Sequence, residues 1–165
     1  MAAVARNEPD RLGGERQLLD QWLDYHRESL LLKCEGLTGE QLVLRSCPPS
    51  PMSLAGLVRH LTEMERMYAH RLADRGVPLL YCNDASPDGD FDDVSPQAAF
   101  DDIRVFTEHC DQSRAITAGL SLEDSFGESR PGSLRWFYLY LIKEYSRHLG
   151  HADLLRERVD GATGE

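Results

Sequence analysis

Leu134, Tyr138, Leu141, Tyr145, His148, Ala152, Leu155 and Val159 follow one another at steps of four, three, four, three, four, three and four residues. Residues so spaced share one face of an α-helix, here about seven turns long. Most of that seam is apolar, and a helix cannot leave such a stripe in water, so other helices must cover it. Ser133 supplies an N-cap just before the seam.

Three further stretches carry the same period. The first runs from about Glu15 to Glu35, with Leu19, Trp22, Leu23, Leu30 and Leu31 toward one side, and is closed by "EGLTGEQ". After the short amphipathic piece "TGEQLVLR", the proline-rich "CPPSPM" cannot continue a helix, because proline lacks the N–H and clashes with the preceding turn. Ser53 then caps a second helix with Leu54, Leu57, Leu61, Met64, Tyr68 and Leu72 in line, ending at Gly76. Ser95-Pro96 predicts the start of a third, reaching about Ala118, with Phe100, Ile103, Phe106, Cys110 and Ile116 inward. No stretch alternates with period two. The expectation is an all-α four-helix bundle forming a single domain over 1–165, its core at about 14–160 and its tails frayed. Between the second and third helices lies "VPLLYCNDASPDGDFDDV", long enough to be functional or mobile.

Charge narrows the partners. Twenty-eight acidic against eighteen basic residues leave a net charge of −10, which opposes sequence-independent attraction to nucleic acid or anionic lipid. No apolar run approaches a membrane span, and the first residues lack the apolar centre of a secretory signal. A soluble, cytoplasmic protein is expected. Cys34, Cys47, Cys82 and Cys110 are far apart and form no C-x-x-C, so free thiols are expected, some of them buried.

The seam of the fourth helix carries an anomaly. His148 falls on it, Glu144 lies one turn before, and His151 three residues after. On the second helix His60 borders the apolar stripe, with Glu63 as its i+3 neighbour. Buried imidazoles and carboxylates need partners, and a divalent metal held between helices would satisfy them together. Imidazoles with at most one carboxylate suit Zn²⁺, with Ni²⁺ and other first-row ions served by the same donors. The plainer reading is that each histidine is hydrogen-bonded within the fold, and H-x-x-H alone is a weak motif. His26, His70 and His109 read as ordinary boundary residues. Trp22, Trp136, Phe137 and Tyr138 read as core or interface aromatics, and "SLRWFYLYLIKEY" could line a pocket above a metal.

"SLAGLVRHLTEMER" together with "YLIKEYSRHLGHADLLRERVDGATGE" resembles the DinB-like superfamily, in the actinobacterial branch of unknown function often labelled mini-circle protein. The resemblance covers the chain from about Gly14 onward. It implies an up-down-down-up bundle with a long crossover between the second and third helices, frequent homodimers, and a metal held by one histidine of the second helix and an (i, i+4) pair of the fourth. Residue by residue, this places His60 and His148 as ligands. The first pair position falls at Glu144, where many relatives carry His and the mycothiol-dependent maleylpyruvate isomerases carry Glu. His151 stands where other branches often have a polar residue such as Gln, so either it replaces Glu144 as third ligand or it acts from behind the ligands. The resemblance ranks His60 and His148 first, His151 next and Glu144 fourth.

Relatives in that superfamily are S-transferases and isomerases using mycothiol, bacillithiol or glutathione, and the metal domain of ergothioneine-forming sulfoxide synthases. The resemblance therefore implies a metal-dependent thiol S-transferase or related detoxifying enzyme with a low-molecular-weight thiol as cosubstrate, in which Arg147, Arg59 or Tyr145 would orient the thiol. Two other readings stand beside it. One is a catalytically silent bundle whose metal is structural. The other is metal-assisted hydrolysis, with Glu63 or Glu144 as general base.

Overall fold

A computed structural model describes residues 5–72, 76–127 and 131–164. Four long helices dominate: α1 (Glu15–Cys34), α3 (Leu54–Leu72), α5 (Ala99–Thr117) and α6 (Leu134–Asp160). Two one-turn helices, α2 (Gly39–Leu42) and α4 (Gly89–Asp92), lie in the connections. A two-residue antiparallel pair, β1 (Ser125–Phe126) with β2 (Gly132–Ser133), precedes α6. The expected final turn of the second helix, 73–75, lies outside the described residues, as do parts of both tails and 128–130 of the last connection.

The helix directions follow from which residues meet. Glu15 pairs with Arg135, His26 with Ser146, and the carbonyl of Lys33 with Arg156, so α1 and α6 run parallel. Arg59 faces Asp102 and the Glu65 carbonyl faces Ser113, so α3 and α5 also run parallel. His60 faces His148 while Tyr68 faces Tyr140, and α3 is therefore antiparallel to α6. The result is the up-down-down-up all-α bundle of the DinB-like class, and joining the parallel pair α3 and α5 requires the crossover from 73 to 98.

Local chemistry sets the helix ends. Thr38 and Gln41 form a reciprocal capping box on α2, Ser53 accepts from the Gly56 N–H at 3.1 Å, and Ser133 accepts from the Trp136 N–H. Gly161, at φ 80°, closes α6 in the left-handed conformation. The third long helix starts later than the sequence predicts: Ser95 caps a turn by accepting from the Ala98 N–H, and the α-helix follows from Ala99. Its inward stripe is accordingly Ala99, Ile103, Phe106, Cys110 and Thr117, which leaves Phe100 on the stripe's outer edge, 49% exposed rather than inward. Trp22 and Trp136 likewise remain nearly half exposed.

The seam of α6 is the centre of the core, with Leu134, Leu141 and Tyr145 fully buried in one apolar cluster that also holds Leu57, Leu61 and Phe106. Inside this apolar shell sits a charged crossing. Arg27 of α1 donates twice to Glu65 of α3, at 2.7 Å to each oxygen, and the Tyr145 hydroxyl of α6 donates to the same carboxylate at 2.8 Å. Asp24 takes a third Arg27 hydrogen bond and pairs with Arg114 of α5. Each buried polar atom of the fork is thereby matched, which buried ions require. The Arg27 guanidinium is held well above its ordinary range, because the Glu65 carboxylate outweighs its desolvation. The cysteines are free thiols, with Cys34 and Cys110 buried. Burial pushes the Cys34 thiol up to about 12.

Removing one partner of this crossing should be costly. Glu65→Ala is expected to lose about 3–5 kcal/mol by leaving Arg27 charged and unpaired in the core, whereas Tyr145→Phe should lose only about 1 kcal/mol. Urea unfolding of both variants checks the ordering; equal, small losses would show that the crossing does not hold the helices together.

Candidate metal site

The antiparallel contact of α3 with α6 gathers the anomalous residues of the two seams. His60, Glu144 and His148 each offer one ligand atom, and these atoms lie within 4.8 Å of one another, a grouping unique to these three among the described residues. The His60 and His148 rings are 4.7 Å apart between centroids, and His148 Nε2 stands 3.6 Å from Glu144 Oε2. All three side chains are largely out of water: His60 is 21% exposed, His148 12% and Glu144 11%.

His60 is fixed from outside the bundle. Asp90, in the crossover helix α4, is buried and lies 2.9 Å from His60 Nδ1. A carboxylate there accepts a hydrogen bond from Nδ1–H and leaves the Nε2 lone pair open, the usual arrangement behind a metal-binding imidazole. Phe91 stacks on the same ring at 5.3 Å between centroids. The approach is close because Gly56 of α3 has no side chain: a Cβ there would stand 2.9 Å from the Phe91 ring. Gly89 is equally constrained, since its Cβ would fall 2.3 Å from the Tyr81 carbonyl oxygen.

Protonation states match the donors a metal needs. Burial, helped by His60 and His151, pulls the His148 imidazole down to about 4, so it is neutral at physiological pH. Burial pushes the Glu144 carboxyl upward, but Lys143, Tyr140 and His148 outweigh it and hold it below its ordinary value. Burial thus favours the neutral, metal-binding form of His148, beside a carboxylate held in its charged form. The residues present therefore fit a first-row divalent ion of the zinc or nickel type, with three protein donors rather than a closed four.

The other residues singled out in the sequence fall elsewhere. His151 lies outside the trio, its Nδ1 3.4 Å from Nδ1 of His148, while Glu144, placed last in the expected order, is within it. Glu63 is buried, and one of its oxygens accepts the N–H groups of Leu80 and Tyr81, which pins the crossover onto α3 and occupies the expected general base. Tyr145 is fully buried and its hydroxyl is committed to Glu65, so it braces the core instead of facing a ligand. Arg59 lies over the Tyr81 ring, 4.2 Å from its centroid, with Asp102 at 3.9 Å. Arg147 is exposed, beside His148 in sequence. His26, read as a boundary residue, is buried and 2.7 Å from the Ser146 hydroxyl. Sequence reasoning missed Asp90. The signal was the aspartate run "DASPDGDFDD", but only the fold tells which of those carboxylates turns inward.

Fold and site together define a DinB-like helical bundle with a His/Glu cluster suited to metal. The family model for mycothiol S-transferase matches residues 18–161, nearly the whole chain, and the protein belongs to that family. Neither the curated proteins nor the solved structures give a match. Among the described residues, no helix is long and apolar enough to cross a membrane.

Titration of zinc against a chromophoric chelator separates the roles of these side chains. His148→Ala should abolish high-affinity binding, Asp90→Ala should weaken it about 10- to 100-fold by freeing His60, and His151→Ala should leave it within a few-fold. Loss of zinc on His151→Ala with retention in Glu144→Ala would restore the order expected from sequence.

Proposed function

We propose that the protein is a metal-dependent S-transferase that joins a mycothiol-type thiol to an electrophile. The observation carrying this reading is the trio His60, Glu144 and His148, whose ligand atoms lie together at the contact of α3 and α6, in a chain of the mycothiol S-transferase family. A Lewis-acidic ion held there would lower the pKa of a thiol brought to it. In the overall conversion the thiol loses its proton to solvent, its sulfur bonds to the electrophilic carbon, and the leaving group departs with the electron pair of the broken bond.

The chain's own residues divide the remaining work. Asp90 keeps the Nδ1 proton on His60 and aims the ring. The Lys143 ammonium lies against Glu144 and favours its charged form, while the desolvation of His148 keeps that ring a donor. Arg147 has no ion-pair partner among the described residues and is the exposed cation available to the polar groups of a thiol. The hydrolytic reading loses support because Glu63 is tied to the crossover backbone and Glu144 belongs to the trio. A closed structural site loses support because the grouping among the described residues supplies three donors.

The zinc- or nickel-loaded protein, given mycothiol and a fluorogenic alkylating electrophile, should form the thioether, with a loss of about 100-fold or more in His148→Ala. Turnover of ester or amide substrates without thiol would favour the hydrolase instead. Stoichiometric metal with no conjugation of any thiol would leave a structural bundle.

A further inference from the structure

The contact of α3 with α6 continues beyond the trio. Tyr68 lies two turns past His60 on α3, and Tyr140 one turn before Glu144 on α6, so the same seam carries aromatic rings about 12 Å farther along. There it opens into a cavity of about 400 Å³ whose walls include Tyr68, Trp136, Tyr140 and Phe126, with Arg71 at its edge. Trp136 and Tyr140 stack at 4.9 Å with 23° between their planes, and Tyr68 tilts against Tyr140 at 4.8 Å. Gly132 forms part of the wall, and a Cβ there would stand 3.3 Å from the Phe126 ring and 3.4 Å from Trp136. The cavity is thus bounded by flat rings, and its exposed tryptophan, 46% accessible, is costly to leave in water without a use.

Its charge is equally specific. On a chain of net charge −10 the charged residue among those lining this cavity is a cation, Arg71, 5.6 Å over the Tyr68 ring and without an ion-pair partner among the described residues. Lys143, 4.0 Å over the Tyr140 ring, is matched by Glu144. Tyr140 joins the two regions, since it lines the cavity and helps to hold the Glu144 carboxyl ionised.

We infer that this cavity is the binding site for the electrophilic acceptor, and that the acceptor is a planar aromatic compound bearing a negatively charged group. The rings provide a stacking surface that a saturated molecule cannot use, and the unpaired guanidinium selects an anion over a neutral or cationic analogue. The inference rests on the S-transferase reading for the word acceptor, but the site itself stands on the cavity and can be tested without turnover.

Calorimetric titration of the full-length protein with three probes tests it: 2-naphthoate, the neutral 2-naphthylmethanol and the non-planar cyclohexanecarboxylate. Naphthoate should bind at least about fivefold more tightly than either analogue. Trp136→Ala should weaken it about tenfold or more, and Arg71→Gln, a change of an exposed side chain, should erase its advantage over naphthylmethanol while leaving the alcohol's own affinity within about twofold. His148→Ala should bind naphthoate as wild type does. Equal binding by wild type, Trp136→Ala and Arg71→Gln would overturn the inference, as would no binding to wild type at millimolar probe. Loss of naphthoate in His148→Ala would also overturn it, by placing the carboxylate on the metal ligands. Because no probe reacts, failure of thiol transfer and failure of this cavity give different results.

Discussion

Glu65 is the point on which the four long helices converge. Its carboxylate is fully buried, is gripped by the Arg27 fork and receives the Tyr145 hydroxyl, while Arg27 reaches on through Asp24 to Arg114. Apolar packing alone would tolerate α3 sliding or rotating against α6, since leucine contacts are not directional. A bidentate ion pair in a dry core is directional, and a misregistered bundle would leave a charge unpaired at a cost of several kcal/mol. The register it enforces is also what sets His60 opposite His148, which lie five residues from Glu65 and three from Tyr145 respectively. The cluster of His60, Glu144 and His148 inherits its geometry from this crossing.

The bundle itself could be read from the chain because helical periodicity is a local signal: the α6 seam appears residue for residue, and Ser53 and Ser133 cap the helices they precede. That His60, Glu144 and His148 come together could be anticipated, since residues on facing stripes must meet if the stripes do. Which of His151 and Glu144 joins His60 and His148 could not. Both lie within one turn of His148, and a difference of three against four residues along α6 becomes a difference in direction only once α3 is in place. Phe100 failed for a related reason, as it lies at the boundary of a stripe whose centre shifted when the helix began at Ala99.

The Arg27, Glu65 and Tyr145 crossing was invisible because each residue looks unremarkable in its own helix and the matching is wholly long-range. The tyrosine reads as an apolar seam position, the arginine and glutamate as solvated flanks. The crossover posed the opposite difficulty, being conspicuous as a segment and silent about which of its carboxylates faces the bundle. Asp90 turns inward because the Glu63 carboxylate fastens the backbone at Leu80 and Tyr81 and because α4 lies tight on α3.

Two residues without side chains keep the crossover close-packed, Gly56 letting α4 approach α3 and Gly89 letting the crossover fold on itself. At Gly56 and Gly89 a single added methyl group would collide with the Phe91 ring and with the Tyr81 carbonyl respectively. The crossover therefore works as a replaceable cassette clipped to an invariant frame: its ring and carboxylate govern how His60 is presented, yet none of its residues contributes to the crossing that stabilises the bundle. Sequence drift within that cassette could change how the His60 ring is presented without endangering the fold, whereas the same freedom is denied to any residue of α3 or α6 that faces the seam.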